Sequence, residues 1–144
     1  MGMYTELIFG AELKKETPEQ VINALKYMIG KLEDKPDDFP LPEGRCEYVL
    51  NSSCYNLGVS ESVSNIWFDE ILKFWKISSR SSIKNYENEI GVFLEWIKPY
   101  IESGSGAKNM YAITIYEEDF KPTIYYLHPD RKCDSEYYLM TNKT

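Results

Sequence analysis

The run Glu6-Leu7-Ile8-Phe9-Gly10-Ala11-Glu12-Leu13 alternates, and Thr17-Pro18-Glu19-Gln20-Val21-Ile22 follows a few residues later. In an extended chain Leu7, Phe9, Ala11 and Leu13 share one side, and Glu6, Ile8, Gly10 and Glu12 the other. This is the pattern of a strand with one buried face. Thr17 then suits an N-cap, Pro18 the first helical position and Gln20 the third, a capping box. Val21, Ile22, Leu25, Met28, Ile29 and Leu32 form an apolar stripe at helical spacing. A half-buried strand feeding an amphipathic helix sets the class: a sheet with helices laid on one face.

The rest of the chain extends this pattern. Residues 33–45 hold three prolines and a glycine, which forbid regular structure. Asp34, Asp37 and Asp38 in this stretch lack the alternating oxygen ligands and terminal Glu of a calcium loop, so it reads as a solvated acidic loop. Strand signals return at 46–55, 65–68 and 72–83, with 58–64 as the loop between the first two. A second helix follows, with Asn85 as N-cap and a stripe of Ile90, Phe93, Leu94, Ile97 and Ile101. Pro99 should kink or end it, and the glycines at 104 and 106 stop it. Residues 110–116 and 123–127 make a hairpin across 117–119, and 137–140 add a short edge strand.

Short connections between most strands make the sheet largely antiparallel. The expectation is one α+β domain over residues 1–144, with both helices on one face. Shifting the first helix by 69 residues sets Val21 on Ile90, Leu25 on Leu94, Met28 on Ile97 and Leu32 on Ile101. That match raises a duplication of two βαββ units. Against it, Leu7 and Phe9 land on Lys76 and Ser78, which face the wrong way.

The chain has 144 residues and a net charge of −7, with 43% hydrophobic and 27% charged residues. Such a composition excludes a disordered chain. The acidic balance argues against general nucleic-acid binding. No apolar run is long enough to span a membrane, and the opening residues carry no basic, apolar leader, so a cytoplasmic protein is expected. Cys46, Cys54 and Cys133 form no paired motif and suit a reducing compartment, with Cys46 and Cys54 as small buried hydrophobes. His128 stands alone, too little for a zinc site. No metal, disulfide or cofactor is expected to be needed for folding. Carboxylates are scattered, and GxSxG, Walker, dinucleotide and HExxH motifs are absent, so catalysis finds no support.

Two features carry possible binding chemistry. Along 72–83, period 2 sets Lys76, Ser78, Arg80 and Ser82 in one row, extended by Lys84. No acid falls between Glu70 and Glu87. Hydroxyls interleaved with cations suit phosphate oxygens, and Arg binds them bidentately. The alternative is an ordinary solvent-facing strand. The second feature is aromatic: 12 Tyr, 3 Trp and 6 Phe. Tyr125-Tyr126 and Tyr137-Tyr138 form adjacent pairs in which one ring of each faces outward, as at interaction surfaces.

The stretches 3–8 through Tyr27-Met28, and Ile77-Ser78-Ser79-Arg80-Ser81-Ser82-Ile83-Lys84-Asn85-Tyr86 through Phe93-Leu94-Glu95-Trp96-Ile97-Lys98-Pro99-Tyr100, resemble a family of short bacteriophage and prophage proteins. The resemblance carries no catalytic residues. It implies an accessory protein working in the cytoplasm of a host cell. Small acidic phage proteins of this kind often block host defence by binding a defence protein or its nucleotide signal. The leading expectation is therefore a non-enzymatic anti-defence protein that inhibits a host protein through an acidic, aromatic-rich surface. The second is a protein that sequesters a phosphate-bearing small ligand such as a nucleotide signal. The third is a small enzyme without a recognisable motif. Each leaves room for a homo-oligomer.

Overall fold

A computed structural model describes residues 3–52, 63–103 and 109–130. In chain order it contains β1 (Thr5–Glu12), α1 (Glu19–Ile29), a 3-10 turn (Arg45–Tyr48), β2 (Asn65–Asp69) and β3 (Phe74–Ile83). Then come α2 (Glu89–Ile97), a second 3-10 turn (Lys98–Tyr100), β4 (Met110–Tyr116) and β5 (Thr123–Tyr126). The strands pair antiparallel in the order β2-β3-β1-β4-β5. The fold is α+β, as the alternation and the two stripes predict.

β1 lies at the centre. It pairs with β3 along its whole length, from Thr5 opposite Ile83 to Glu12 opposite Lys76, and with β4 from Thr5 to Phe9. This register sets Phe9 between Ser79 and Ala112, two small neighbours that leave space above the sheet. The Phe9 ring fills that space edge-on against Phe93 of α2, centroids 5.2 Å apart. From α1, the Lys26 ammonium lies 4.5 Å from the centroid of the Trp75 ring on the same face. One hydrophobic cluster joins Leu7 and Phe9 with both helix stripes and with Cys46, Val49 and Leu50. Each large side chain buried there contributes roughly 1.5–3 kcal/mol.

The helix ends differ from the expected caps. Pro18, not Thr17, precedes α1, and no side chain caps it. Thr17 Oγ1 instead donates to the Lys14 carbonyl at 2.6 Å, and Gln20 Nε2 reaches the Asp38 carbonyl at 2.7 Å. The two groups of the anticipated capping box thus hold the preceding turn and the acidic loop. α1 stops at Gly30, whose φ of 97° lets its amide meet the carbonyls of Lys26 and Tyr27; only glycine takes that conformation cheaply. Leu32 falls beyond the helix and is half-buried. At α2 the flanking residue is Asn88, yet Asn85 still caps: its Oδ1 accepts from the Ile90 amide at 2.9 Å. The α-helix ends just before Pro99, which lies in the second 3-10 turn.

Two expectations are corrected. Residues 46–52 are not a strand: Arg45–Tyr48 is a 3-10 turn. Cys46, Val49 and Leu50 are buried at spacings of three and one, a turn-like period rather than an alternating one. Without that strand, the five described strands do not divide into two equal βαββ units. The 72–83 strand begins at Phe74, because Asp69 Oδ1 accepts from the amides of Ile71 and Leu72 and Lys73 adopts φ 62°, together turning the chain. The hairpin of β4 and β5 forms as expected, with an irregularity between Met110 and Ala112. The loop over 58–62, the strand over 137–140, Cys54 and Cys133 lie outside the described residues.

Among the described residues no helix is long and apolar enough to cross a membrane. Leu25 and Leu94 are both essentially fully buried. Truncating either to alanine is expected to cost roughly 2–5 kcal/mol, read as a lowered denaturant midpoint with unchanged slope. Parental stability in either variant would mean that its leucine does not pack in the core.

Candidate functional site

The row read from period 2 forms on β3. Lys76, Ser78, Arg80 and Ser82 stand on the sheet face away from the helices, opposite Glu12, Gly10, Ile8 and Glu6 of β1. The neighbours then divide the cations. Lys76 Nζ lies 3.1 Å from Asp69 Oδ2 and 3.6 Å from Glu12 Oε1. The Asp69 carboxyl is held below its ordinary range by the Leu72 amide first, with Lys76 adding to the effect; the same contact raises the Lys76 ammonium. Arg80 Nε lies 3.3 Å from Glu6 Oε1. Glu6, read from the alternation as an outward residue, is 0% exposed, and its Oε2 has no hydrogen-bond partner among the described residues. These two cations hold the sheet's own carboxylates, so the strip is not a continuous anion site.

The end of the strip is different. Among the described residues Lys84 makes no ion pair; its Nζ sits 5.8 Å from the centroid of the Tyr4 ring. Beside it opens a cavity of about 420 Å³, lined by Tyr4 ahead of β1, by Ser82, Ile83 and Lys84 at the end of β3, and by Arg45, Tyr48, Asn51 and Ser52 from the 3-10 turn and its sequel. Ser82 is 1% exposed, and its Oγ has no hydrogen-bond partner among the described residues. That hydroxyl is on the face away from the helices, with Glu6, so Ser82 borders the cavity without presenting its Oγ to it. Arg45 contributes a second cation. Its Nη1 is 3.4 Å from Glu89 Oε1, its guanidinium lies 5.2 Å from the Tyr86 ring centroid, and nearly half of its side chain is exposed.

The turn that carries Arg45 and Tyr48 is fixed by one carboxylate. Glu47 Oε2 accepts from the Gly44 amide at 3.1 Å and from Lys35 Nζ at 3.2 Å, and its Oε1 accepts from the Tyr27 hydroxyl at 2.9 Å. Burial pushes the Glu47 carboxyl up, but these three donors outweigh it and hold it below its ordinary range. Donating to that carboxylate raises the Tyr27 hydroxyl in turn. Further along, Ser79 and Ser81 of β3 donate to the carbonyls of Leu50 and Val49, binding the segment to the sheet.

Sequence reasoning placed Ser82 and Lys84 in a site and missed Arg45, Tyr48, Asn51, Ser52 and Tyr4. The available signal was the buried spacing of Cys46, Val49 and Leu50, which puts residues 45, 48 and 52 together on the outer side of a turn. The tyrosine surface is only partly represented. Tyr125 is half-buried with its ring 6.4 Å from that of Tyr111, and Tyr126 is also half-buried. Tyr137 and Tyr138 lie outside the described residues. The most exposed rings include Tyr48, Tyr86 and Phe120. Burial first, then the nearby Glu89, Glu87 and Glu47, pushes the Cys46 thiol up, away from the reactive thiolate. Among the described residues no group of three or more His, Cys, Asp or Glu is arranged to hold a metal.

Replacing Arg80 by alanine leaves Glu6 buried without its cation. The expected loss is about 3–5 kcal/mol of stability, the cost of breaking a buried pair, measured by denaturant unfolding. A loss below about 1 kcal/mol, the worth of an exposed pair, would mean that solvent reaches Glu6.

Comparison with protein-family models, curated proteins and solved structures finds no match for this chain, so its functional reading rests on the geometry of the cavity.

Proposed function

We propose that this chain acts by binding rather than catalysis, and that it sequesters a phosphate-bearing small ligand in the cavity between Arg45 and Lys84. One observation carries the reading: in a chain of net charge −7, Lys84, without an ion pair among the described residues, and the half-exposed Arg45 come from separate elements to line one cavity. Lys84 offers a compact charge to phosphate oxygens, and Arg45, whose Nη1 already holds Glu89, adds the exposed remainder of its guanidinium. The negative surface elsewhere disfavours long polyanions while the local pair still attracts a small one. The resemblance to phage proteins supplies a setting, in which a phosphate-bearing signal of the host is withdrawn from its receptor.

Calorimetric titration with adenosine 5′-monophosphate tests this. Saturable binding is expected, weakened at least tenfold by Lys84→Ala with the melting temperature unchanged. Absence of binding, or binding indifferent to Lys84→Ala, would overturn the proposal.

A second reading, direct inhibition of a host protein, is favoured by the tip of the β2–β3 hairpin. Ile71 is 89% exposed there, with Leu72 exposed beside it and Trp67 exposed further along β2, opposite Lys76. Apolar side chains gathered at a turn suit insertion into a partner's groove. Ile71→Asp should then abolish capture of a host protein while leaving thermal stability within about 0.5 kcal/mol of the parent, as for surface changes. Undiminished capture would remove the tip from consideration.

A further inference from the structure

We infer that the cavity takes a single free nucleotide, its phosphoryl group held between Lys84 and Arg45 and its base stacked on the Tyr48 ring. This rests on the phosphate reading above and adds the base. Tyr48 is 60% exposed although it stands in a turn whose other members are anchored: Cys46, Val49 and Leu50 are buried, and Glu47 is held by three donors. An exposed aromatic ring on an anchored turn presents a face on which a base can stack. Its neighbour Asn51, exposed on the same cavity, carries both an amide donor and a carbonyl acceptor, the pair needed to meet the edge of a base.

Size and charge set the class. A volume of about 420 Å³ lies within the roughly 300–1,000 Å³ of small-molecule sites and has room for one nucleotide unit. The same chemistry occurs at the 5′ end of a nucleic acid, but the net charge of −7 opposes a polyanionic strand beyond its first phosphate. The ligand class is therefore the free nucleoside monophosphate.

The test compares adenosine 5′-monophosphate with ribose 5-phosphate on the whole protein, alongside Tyr48→Ala and Tyr48→Phe. The nucleotide is expected to bind at least tenfold tighter than the sugar phosphate. Tyr48→Ala should erase that advantage without weakening ribose 5-phosphate, and Tyr48→Phe, which keeps the ring, should retain it. Equal affinity for the two ligands would overturn base stacking while leaving the phosphate site standing. Failure of both to bind would remove the phosphate site and this inference with it. Competition by a 5′-phosphorylated single-stranded oligonucleotide at the same concentration as the mononucleotide would overturn the assignment to a free nucleotide.

Discussion

The register of β1 between β3 and β4 is the constraint on which the other features depend. Because side chains alternate with period two, one pairing decides both faces at once. With Thr5 opposite Ile83, Leu7 and Phe9 point at the helices and Glu6 points away, level with Ser82 and beside Arg80. A slip of one residue would drive Glu6 beneath α2 and turn Phe9 out of its contact with Phe93. The same register leaves Tyr4 and Lys84 just past the paired region, where they border the cavity. Core, buried ion pair and candidate site are thus consequences of one alignment of strands.

Charge in the sheet follows the same geometry. The strip on β3 looks uniformly basic along the sequence, because no acid interrupts it for many residues. In space, each basic position meets whatever the adjacent strand presents. Glu12 and Asp69 reach Lys76 from two sides, and Glu6 reaches Arg80. Lys84 lies past the last paired residue of β3 and makes no such ion pair among the described residues. Linear charge runs therefore overstate the field of an interior strand, and its ends retain more of it.

The periodic elements were the legible ones. The alternation over 6–13 and the stripes from Val21 and from Ile90 are repeated signals, and each became the element it implied. Single-residue signals failed more often. Thr17 and Gln20 had competing acceptors nearby, the carbonyls of Lys14 and Asp38, and took those instead. The segment after Gly44 misled because Cys46, Tyr48 and Val49 favour strands, while tertiary bonds from Ser79, Ser81, Tyr27 and Lys35 fix it as a turn. No local pattern foretells a hydroxyl thirty residues away. Arg45, Tyr48, Asn51 and Ser52 came from this segment and were out of reach of the sequence, as was Tyr4 ahead of β1. Ser82 and Lys84 at the end of β3 were visible because a strand's faces are written in its own alternation.

The two sides of the cavity differ in how they are held. One is the end of a central strand, locked by ladder hydrogen bonds on β1. The other is the 44–52 segment, attached through a few side-chain bonds and three buried residues. Such an attachment opens at a smaller free energy than the sheet beneath it, as a unit of its own. The cavity therefore joins two kinds of support: a floor whose position is shared with the whole sheet, and a wall whose position rests on a handful of side-chain bonds, above all those to Glu47, so a change in any one of those donors alters the site while leaving the sheet intact.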